Sequence, residues 1–230
     1  MIQRIFLFLS LLLQAGQICH GEIQDPTHSD LRYSSDYNRS QLDLWLADSK
    51  KPTPLVVNFH GGGFRKGDKR SFQRNSMLQN NLARGVSFAS VNYPYIDQVE
   101  GDHRKLLEHC AESIKFIKKN ASKYNIDKNR ISVMGNSAGA LITCFLGHAQ
   151  NLGIRSIYPI QQPKGTPLLI PHIRADGPPI IVYNRSGLND QIHHPRFAVM
   201  LQKKCEELGV QCIAYGVEDS GLRTLPEGKD

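Results

Sequence analysis

The sequence has no apolar run long enough to cross a membrane. The longest covers residues 5–13, whereas a spanning helix needs about 20 apolar residues. Arg4 precedes that run, and the small residues Ala15 and Gly16 follow it. This pattern is typical of a secretory signal peptide. We therefore predict a signal peptide over residues 1–21 and a secreted or periplasmic protein without stable membrane insertion; a retained membrane anchor is the alternative.

The sequence also lacks a concentrated basic stripe. Its 28 Lys and Arg residues outnumber 21 Asp and Glu, which gives a net charge of +7, but they are scattered along the chain. Aromatic residues make up only 8% and do not interleave with the basic ones. Nucleic-acid grooves are typically clustered and basic, so we predict no nucleic-acid partner. A scattered positive surface could still attract acidic polysaccharides at long range.

Cysteine is scarce, and it forms no metal-binding pattern. After the predicted signal peptide come Cys110, Cys144, Cys205 and Cys212, none at metal-ligand spacing. No nucleotide or flavin motif is present, so we predict no metal and no cofactor. Export permits disulfides. Cys110 and Cys144 fall on apolar helix faces and fit buried thiols, whereas Cys205 and Cys212 flank a helix-to-strand turn and could pair.

Apolar strand-like runs alternate with helical patterns throughout residues 22–230, which we predict to be a single domain. This alternation is typical of an α/β fold with a mostly parallel sheet and helices on both faces. Residues 41–46 alternate with period two, as in an antiparallel edge strand, and residues 54–59 form the continuous run of a buried central strand. Residues 161–177 are too few to hold a sizeable lid. Further strands are predicted over 86–91, 131–134, 154–160, 179–183 and 211–217, and helices over 71–84, 106–117, 141–149 and 197–208.

Residues 135–139 form the G-x-S-x-G pattern of a nucleophile elbow. They follow a predicted strand and open an apolar helix, which is the context that this motif requires. The sharp turn leaves room only for small residues, here Gly135 and Gly139. It would expose the hydroxyl of Ser137 at a helix N-terminus, where the amide of Ala138 can face a developing oxyanion. We predict that Ser137 is a nucleophile.

A second glycine-rich motif lies upstream, where residues 60–64 read His-Gly-Gly-Gly-Phe directly after the predicted central strand. Its three glycines allow the backbone to approach a substrate carbonyl and supply further amide donors to an oxyanion hole. We expect His60 to orient this loop rather than to act as an acid or a base.

Together the two motifs resemble those of the α/β-hydrolase esterases, in particular the hormone-sensitive-lipase-like group and the secreted acetyl and feruloyl esterases. The resemblance covers roughly residues 30–150 well and the remainder loosely. It implies an α/β-hydrolase fold with an eight-stranded core, hydrolysis of short acyl or aryl esters, and Gly62, Gly63 and Ala138 as oxyanion donors. Further matching segments are 42–45 (LDLW), 67–69 (GDK) and 124–127 (YNID).

The acid follows the family pattern, whereas the base departs from it. Asp190 follows the predicted strand that ends at Tyr183, where the family places its acid. Family members usually carry His-Gly after the last strand, but here Ser220 takes the place of the histidine, and no histidine follows His194. Because the chain order in this fold is Ser, then acid, then His, the candidate bases are His193 and His194. A histidine pair that caps a helix start or faces solvent is the alternative.

Three hypotheses follow for the function. The first is a secreted carboxylic-ester hydrolase whose substrate is a small ester or an acylated carbohydrate. The second is a catalytically impaired pseudoenzyme of the same fold that binds a glycan or a partner. The third is a gene product shortened at its C-terminus, whose lost sequence held the base. The base matters because the loss of one triad member typically lowers turnover by about 10⁴ to 10⁶.

Overall fold

Eight strands form one sheet in the computed structural model, which describes residues 23–225. The predicted signal peptide over 1–21 lies outside the described residues. The strands are β1 (His28–Arg32), β2 (Gln41–Trp45), β3 (Thr53–Phe59), β4 (Ser87–Val91), β5 (Ile126–Asn136), β6 (Ser156–Ile160), β7 (Ile180–Asn184) and β8 (Cys212–Gly216). The helices are α1 (Ser76–Ala83), α2 (His103–Lys119), α3 (Ala138–Cys144) and α4 (Arg196–Leu208).

The sheet is mostly parallel, in the order β1-β2-β4-β3-β5-β6-β7-β8. Strand β2 pairs antiparallel with both β1 and β4, whereas every pair from β4 to β8 is parallel. This arrangement confirms the predicted fold class and the eight-stranded core. Because β5 lies in the middle of the parallel part, the elbow that follows it is at the centre of the carboxyl edge of the sheet.

Helices cover both faces of the sheet, as predicted. The neighbouring residues Val56 and Val57 of β3 point to opposite faces and belong to two separate apolar clusters. Helix α1 joins the smaller cluster through Leu78. Helices α2 and α4 join the larger cluster through Leu106 and Leu201. The central strands are therefore buried on both sides, which explains why their sequences are continuous apolar runs.

The structure corrects two element predictions. Strand β2 is not an edge strand, because the polar strand β1 pairs along its outer side. The first covering helix begins at Ser76 instead of residue 71. The side chain of Asn75 accepts a hydrogen bond from the amide of Met77 at 2.9 Å and caps the helix there. A 3₁₀ turn over Lys69–Phe72 occupies the earlier part of the predicted helix.

The carboxyl edge of the sheet carries no inserted lid between β6 and β7. That connection contains only two three-residue 3₁₀ turns, Thr166–Leu168 and Ile170–His172. This connection therefore places no lid over the elbow, as expected from the short segment. No helix among residues 23–225 has the length and apolar character needed to cross a membrane.

The four cysteines in the described part of the chain are free thiols. Cys110 and Cys144 are buried, in agreement with the sequence analysis. Cys205 and Cys212 lie at the end of α4 and the start of β8, but no disulfide joins them here. The α4–β8 turn is instead set by Gly209, whose left-handed φ of 69° ends the helix.

A buried ion cluster joins the 3₁₀ turn after β3 to strands β1 and β2. The ammonium of Lys69, whose side chain is 5% exposed, donates to Asp43 at 2.6 Å and to Asp30 at 2.8 Å. Asp43 is 1% exposed, whereas Asp30 is 63% exposed and largely in contact with water. Asp43 is therefore the partner that compensates for the burial of the lysine charge.

We expect Asp43→Ala to lower the free energy of unfolding by about 3 kcal/mol, because it leaves the Lys69 charge buried without its main partner. Urea unfolding measures this loss. The control is Glu108→Ala, which breaks an exposed pair with Arg104 and should change stability far less. Equal losses in the two variants would contradict the importance of this buried cluster.

Candidate active site

Ser137 lies in a sharp turn between β5 and α3. Its φ of 56° and ψ of −113° place a non-glycine residue in a sparsely populated region, which costs on the order of 1–3 kcal/mol. Its amide donates to the carbonyl of Ile160 at 2.9 Å, and its carbonyl accepts from the amide of Ala140 at 2.9 Å. The neighbouring strand β6 and the first turn of α3 thus hold the strained residue in place.

Glycine is required on both sides of this turn because backbone packs directly on backbone. A Cβ atom on Gly139 would collide with the carbonyl of Phe59, the last residue of β3. A Cβ on Gly135 would meet the same oxygen at 2.8 Å, and one on Gly61 would meet the carbonyl oxygen of Asn136 at 2.8 Å. The elbow and the upstream glycine loop are therefore in direct contact, as the two motifs predicted.

Ser137, His193 and Asp190 form a continuous chain of hydrogen bonds. The Oγ of Ser137 is 2.9 Å from Nε2 of His193, and Nδ1 of His193 is 3.2 Å from Oδ2 of Asp190. Nδ1–H facing a carboxylate leaves Nε2 free to accept the serine proton. The structure thus brings the predicted nucleophile, the predicted acid and one of the two candidate bases together.

Hydrogen bonds also favour the ionised form of Asp190. The backbone amide of His193 and the hydroxyl of Ser186 donate to the carboxylate and hold its pKa well below the usual range. A carboxylate that stays charged can orient a histidine and stabilise its protonated form.

His194 does not share the position of its neighbour. Its Nδ1 accepts a hydrogen bond from the amide of Arg196 at 3.0 Å, at the start of α4. His193 lies in the loop before the helix rather than on it, since α4 begins only at Arg196. Ser220, at the position where the family pattern expects a histidine, donates to the carbonyl of Val217 at 2.6 Å.

The predicted oxyanion donors lie on the glycine loop and at the start of α3. Gly62 and Gly63 have φ values of 111° and 62°, conformations that favour glycine. The carbonyl of Gly62 accepts from the amides of Arg65 and Lys66, which closes the loop on itself. Ala138 is the first residue of α3, so its amide has no acceptor within the helix.

His60 supports this loop. Its Nδ1 is 2.8 Å from the carbonyl oxygen of Gly61, and its Nε2 is 3.3 Å from the guanidinium of Arg39. These contacts fit a neutral ring that donates from Nδ1 and accepts at Nε2. The ring stacks on Tyr93 with centroids 4.4 Å apart, and the Tyr93 hydroxyl donates to the His60 carbonyl at 2.7 Å. Burial lowers the pKa of His60, which keeps it neutral.

Sequence reasoning missed two groups of supporting residues. Arg39 donates to the carbonyl of Gly67 at 3.0 Å and to the side chain of Asn92 at 3.1 Å, which ties the β1–β2 connection to the glycine loop. Ser186 and Asn184 contact the Asp190 loop from the end of β7. The only hint in the sequence was their place along the chain. Polar residues at the carboxyl ends of parallel strands lie near the site in this kind of sheet, and this is where Asn184, Ser186 and Asn92 fall.

Among residues 23–225, no group of three or more His, Cys, Asp or Glu side chains is arranged to hold a metal ion.

A strained serine elbow at the centre of the carboxyl edge, a contacting glycine loop and a Ser–His–Asp hydrogen-bond chain define an α/β-hydrolase. Residues 42–164, more than half of the chain, match the BD-FAE family model. The chain belongs to the BD-FAE family.

Sequence comparison finds relatives that share part of the chain. A probable isoprenylcysteine alpha-carbonyl methylesterase of Oryza sativa subsp. japonica is 34% identical over 109 residues, which cover 46% of this chain and 25% of the relative. Endo-1,4-beta-xylanase B of Butyrivibrio fibrisolvens is 50% identical over 38 residues, or 16% of this chain and 6% of that protein. The matched segments thus span a quarter or less of either relative.

Solved structures share most of the fold. A truncated carbohydrate esterase from gut microbiota has a TM-score of 0.71 at 16% identity, covering 86% of this chain and 89% of that one. An acetyl ester-xyloside bifunctional hydrolase from Caldicellulosiruptor lactoaceticus has a TM-score of 0.70 at 16% identity, covering 85% of this chain and 87% of that one. At this identity the likeness shows the α/β-hydrolase fold.

We expect Gly139→Ala to lower the free energy of unfolding by about 3 kcal/mol, because the added methyl group would collide with a backbone carbonyl that cannot rotate away. Gly187→Ala is the matched control, since a Cβ there meets nothing within 4 Å. That variant should be neutral or slightly stabilising. Thermal unfolding compares the two, and equal stability would contradict the backbone packing described here.

His60 should make stability depend on pH. Burial lowers the pKa of His60 in the folded protein, so the unfolded chain binds a proton at this residue more readily than the folded protein does. The stability that neutral His60 contributes is therefore complete above the ordinary histidine pKa of about 6.5. That stability is lost as the pH falls from there towards the lowered value. Burial also lowers the pKa of His109 and His148. The expected result is therefore a smaller loss of unfolding free energy between about pH 7 and 5 in His60→Gln than in the wild type, and parallel losses would contradict it.

Proposed function

We propose that this protein is a carboxylic-ester hydrolase that acts through Ser137 as nucleophile. The observation that carries the proposal is the line of hydrogen bonds from Ser137 Oγ through His193 to Asp190, at 2.9 and 3.2 Å. It lies beside the glycine loop at 61–63, so nucleophile, base, acid and amide donors are available at one point on the sheet edge.

The geometry supports a two-step acyl transfer. Ser137 attacks the ester carbonyl while Nε2 of His193 takes its proton, and Asp190 holds the opposite Nδ1–H and stabilises the imidazolium. The amides of Gly62, Gly63 and Ala138 stabilise the oxyanion of the tetrahedral intermediate. His193 then gives its proton to the leaving alcohol, and a water molecule activated by the same ring releases the acid from the serine.

In this proposal the base has moved from the loop after the last strand to the loop after β7. The chain order Ser137, Asp190, His193 still follows the rule for this fold. Acid and base are only three residues apart, so one short loop carries both. His193 supplies the group whose apparent absence motivated the pseudoenzyme hypothesis, and we therefore favour the enzyme.

We further propose short acyl or aryl esters as substrates, including esters on carbohydrate. The open edge between β6 and β7 has no lid to enclose a long chain. Carbohydrate and acetyl esters are named for two proteins of similar fold, and a methyl ester for the rice relative. A signal peptide over 1–21 would deliver the enzyme to the periplasm or the medium, where acylated polysaccharides are accessible.

Hydrolysis of 4-nitrophenyl acetate tests the proposal. Ser137→Ala and His193→Ala should each lower kcat by about 10⁴ to 10⁶, because each removes one residue of a Ser–His–Asp triad whose members act together. His194→Ala is the matched control for an adjacent imidazole and should stay within about threefold of the wild type. Wild-type rates in folded His193→Ala would contradict the displaced base, and background rates in the wild type would contradict the activity itself.

A further inference from the structure

Gln161 has a strained backbone that no motif explains. It follows β6 directly and has a φ of 53°, a left-handed conformation that is uncommon for residues other than glycine. Its amide donates to the carbonyl of Tyr183 at 2.8 Å. Such strain persists only where the surrounding structure imposes it, and it is concentrated at functional sites. The side chain of Gln161 reaches across to the segment that follows β7.

That side chain begins a hydrogen-bond relay to the catalytic acid. Nε2 of Gln161 donates to Oγ of Ser186 at 3.0 Å, and Oε1 of Gln161 accepts from the amide of Arg185 at 2.6 Å. Oγ of Ser186 donates to Oδ2 of Asp190 at 2.7 Å. A hydroxyl has a single proton, so the donation from Gln161 leaves that proton to point at the carboxylate.

The relay completes the hydrogen bonding of Asp190. Oδ1 accepts from the amides of Ile192 and His193 at 2.8 and 2.9 Å, and Oδ2 accepts from Ser186 and from Nδ1 of His193. A carboxylate offers about four acceptor positions, and all of them are filled here. With every position occupied, the carboxylate cannot turn away from the histidine without losing a hydrogen bond.

These hydrogen bonds matter because the carboxylate of Asp190 is not buried. The side chain of Asp190 is 33% exposed, so water can reach its carboxylate whenever one of these hydrogen bonds breaks. Asp190 and His193 also lie on one short loop, so the two side chains are not held apart by separate strands. Asn184 braces the same loop: it donates to the carbonyl of His193 at 2.9 Å and accepts from the amide of Ser186 at 3.1 Å.

We propose that Gln161 and Ser186 are positioning residues that hold the Asp190 carboxylate against His193. The inference rests on the proposed function for its kinetic effect, but the contact itself exists without turnover. We assign the effect of Ser186 to Asp190, because the single proton of its hydroxyl is donated to that carboxylate.

The proposal is tested by measuring kcat and KM for 4-nitrophenyl acetate in the wild-type protein and in an Asp190→Asn variant. Ser186→Ala in the wild type should lower kcat about 10-fold and leave KM unchanged, as expected for the loss of one hydrogen bond to a charged group. The same change in an Asp190→Asn background should have no further effect on kcat.

Gln161→Ala should lower kcat by a similar factor, and combining it with Ser186→Ala should lower kcat no further. Ser186→Thr, which keeps the hydroxyl, should keep kcat near the wild-type value.

Ser220→Ala is the matched control, since Ser220 is also a hydrogen-bonded serine after a parallel strand but contacts Val217 instead of the acid. It should leave kcat unchanged. Equal losses from Ser186→Ala in both backgrounds, or no loss in the wild type, would overturn the proposal in favour of a purely structural serine.

A second measurement does not depend on turnover. The Nδ1 proton of His193, observed by NMR in the full chain, should give a low-field resonance that reports its contact with Asp190. Ser186→Ala should shift that resonance upfield or remove it, and Ser220→Ala should not. If the wild type shows no esterase activity, the proposed function fails, and a resonance that persists in Ser186→Ala would separately overturn the positioning role.

Discussion

The site depends on the close approach of three backbone segments at the carboxyl edge of the sheet. The end of β3 presses its Phe59 carbonyl against Gly135 and Gly139, and Gly61 lies against the carbonyl of Asn136. A Cβ atom at any of these three glycines would collide with backbone, so the strained turn at Ser137 and the glycine loop pack directly on β3 and on each other. This packing places the serine hydroxyl where a histidine from the β7 side can reach it.

In the proposed mechanism, the departure from the family pattern is a change in which loop carries the base. His193 lies three residues after Asp190, in a loop whose course is set by the Asp190 carboxylate and the Asn184 amide. This loop leaves the Asp190 side chain 33% exposed. Hydrogen bonds from Ser186 and Gln161 compensate for that exposure. In the proposed mechanism, His193 therefore supplies the base that the family pattern expects near Ser220.

Local patterns were enough to predict seven of the eight strands, the covering helices, the elbow and the glycine loop. Strand β1 was missed because it is short, polar and defined by its pairing with β2 rather than by its composition. The sequence could not show which of His193 and His194 faces Ser137, because the direction of each side chain in a loop is set by long-range contacts. The strain at Gln161 was equally invisible, because glutamine has no preference for a left-handed backbone.

The most direct test of the displaced base is the rate at which an organophosphonate probe adds to Ser137, followed by intact mass. Ser137 Oγ bonds to phosphorus as the leaving group of the probe departs and the serine proton passes to the base, and no hydrolysis of the adduct is needed. The rate therefore isolates the first step assigned to His193. We predict that His193→Gln slows the addition by roughly 10³-fold or more while His194→Gln reacts as the wild type does. Equal rates in all three proteins would contradict the assignment of His193 as the base.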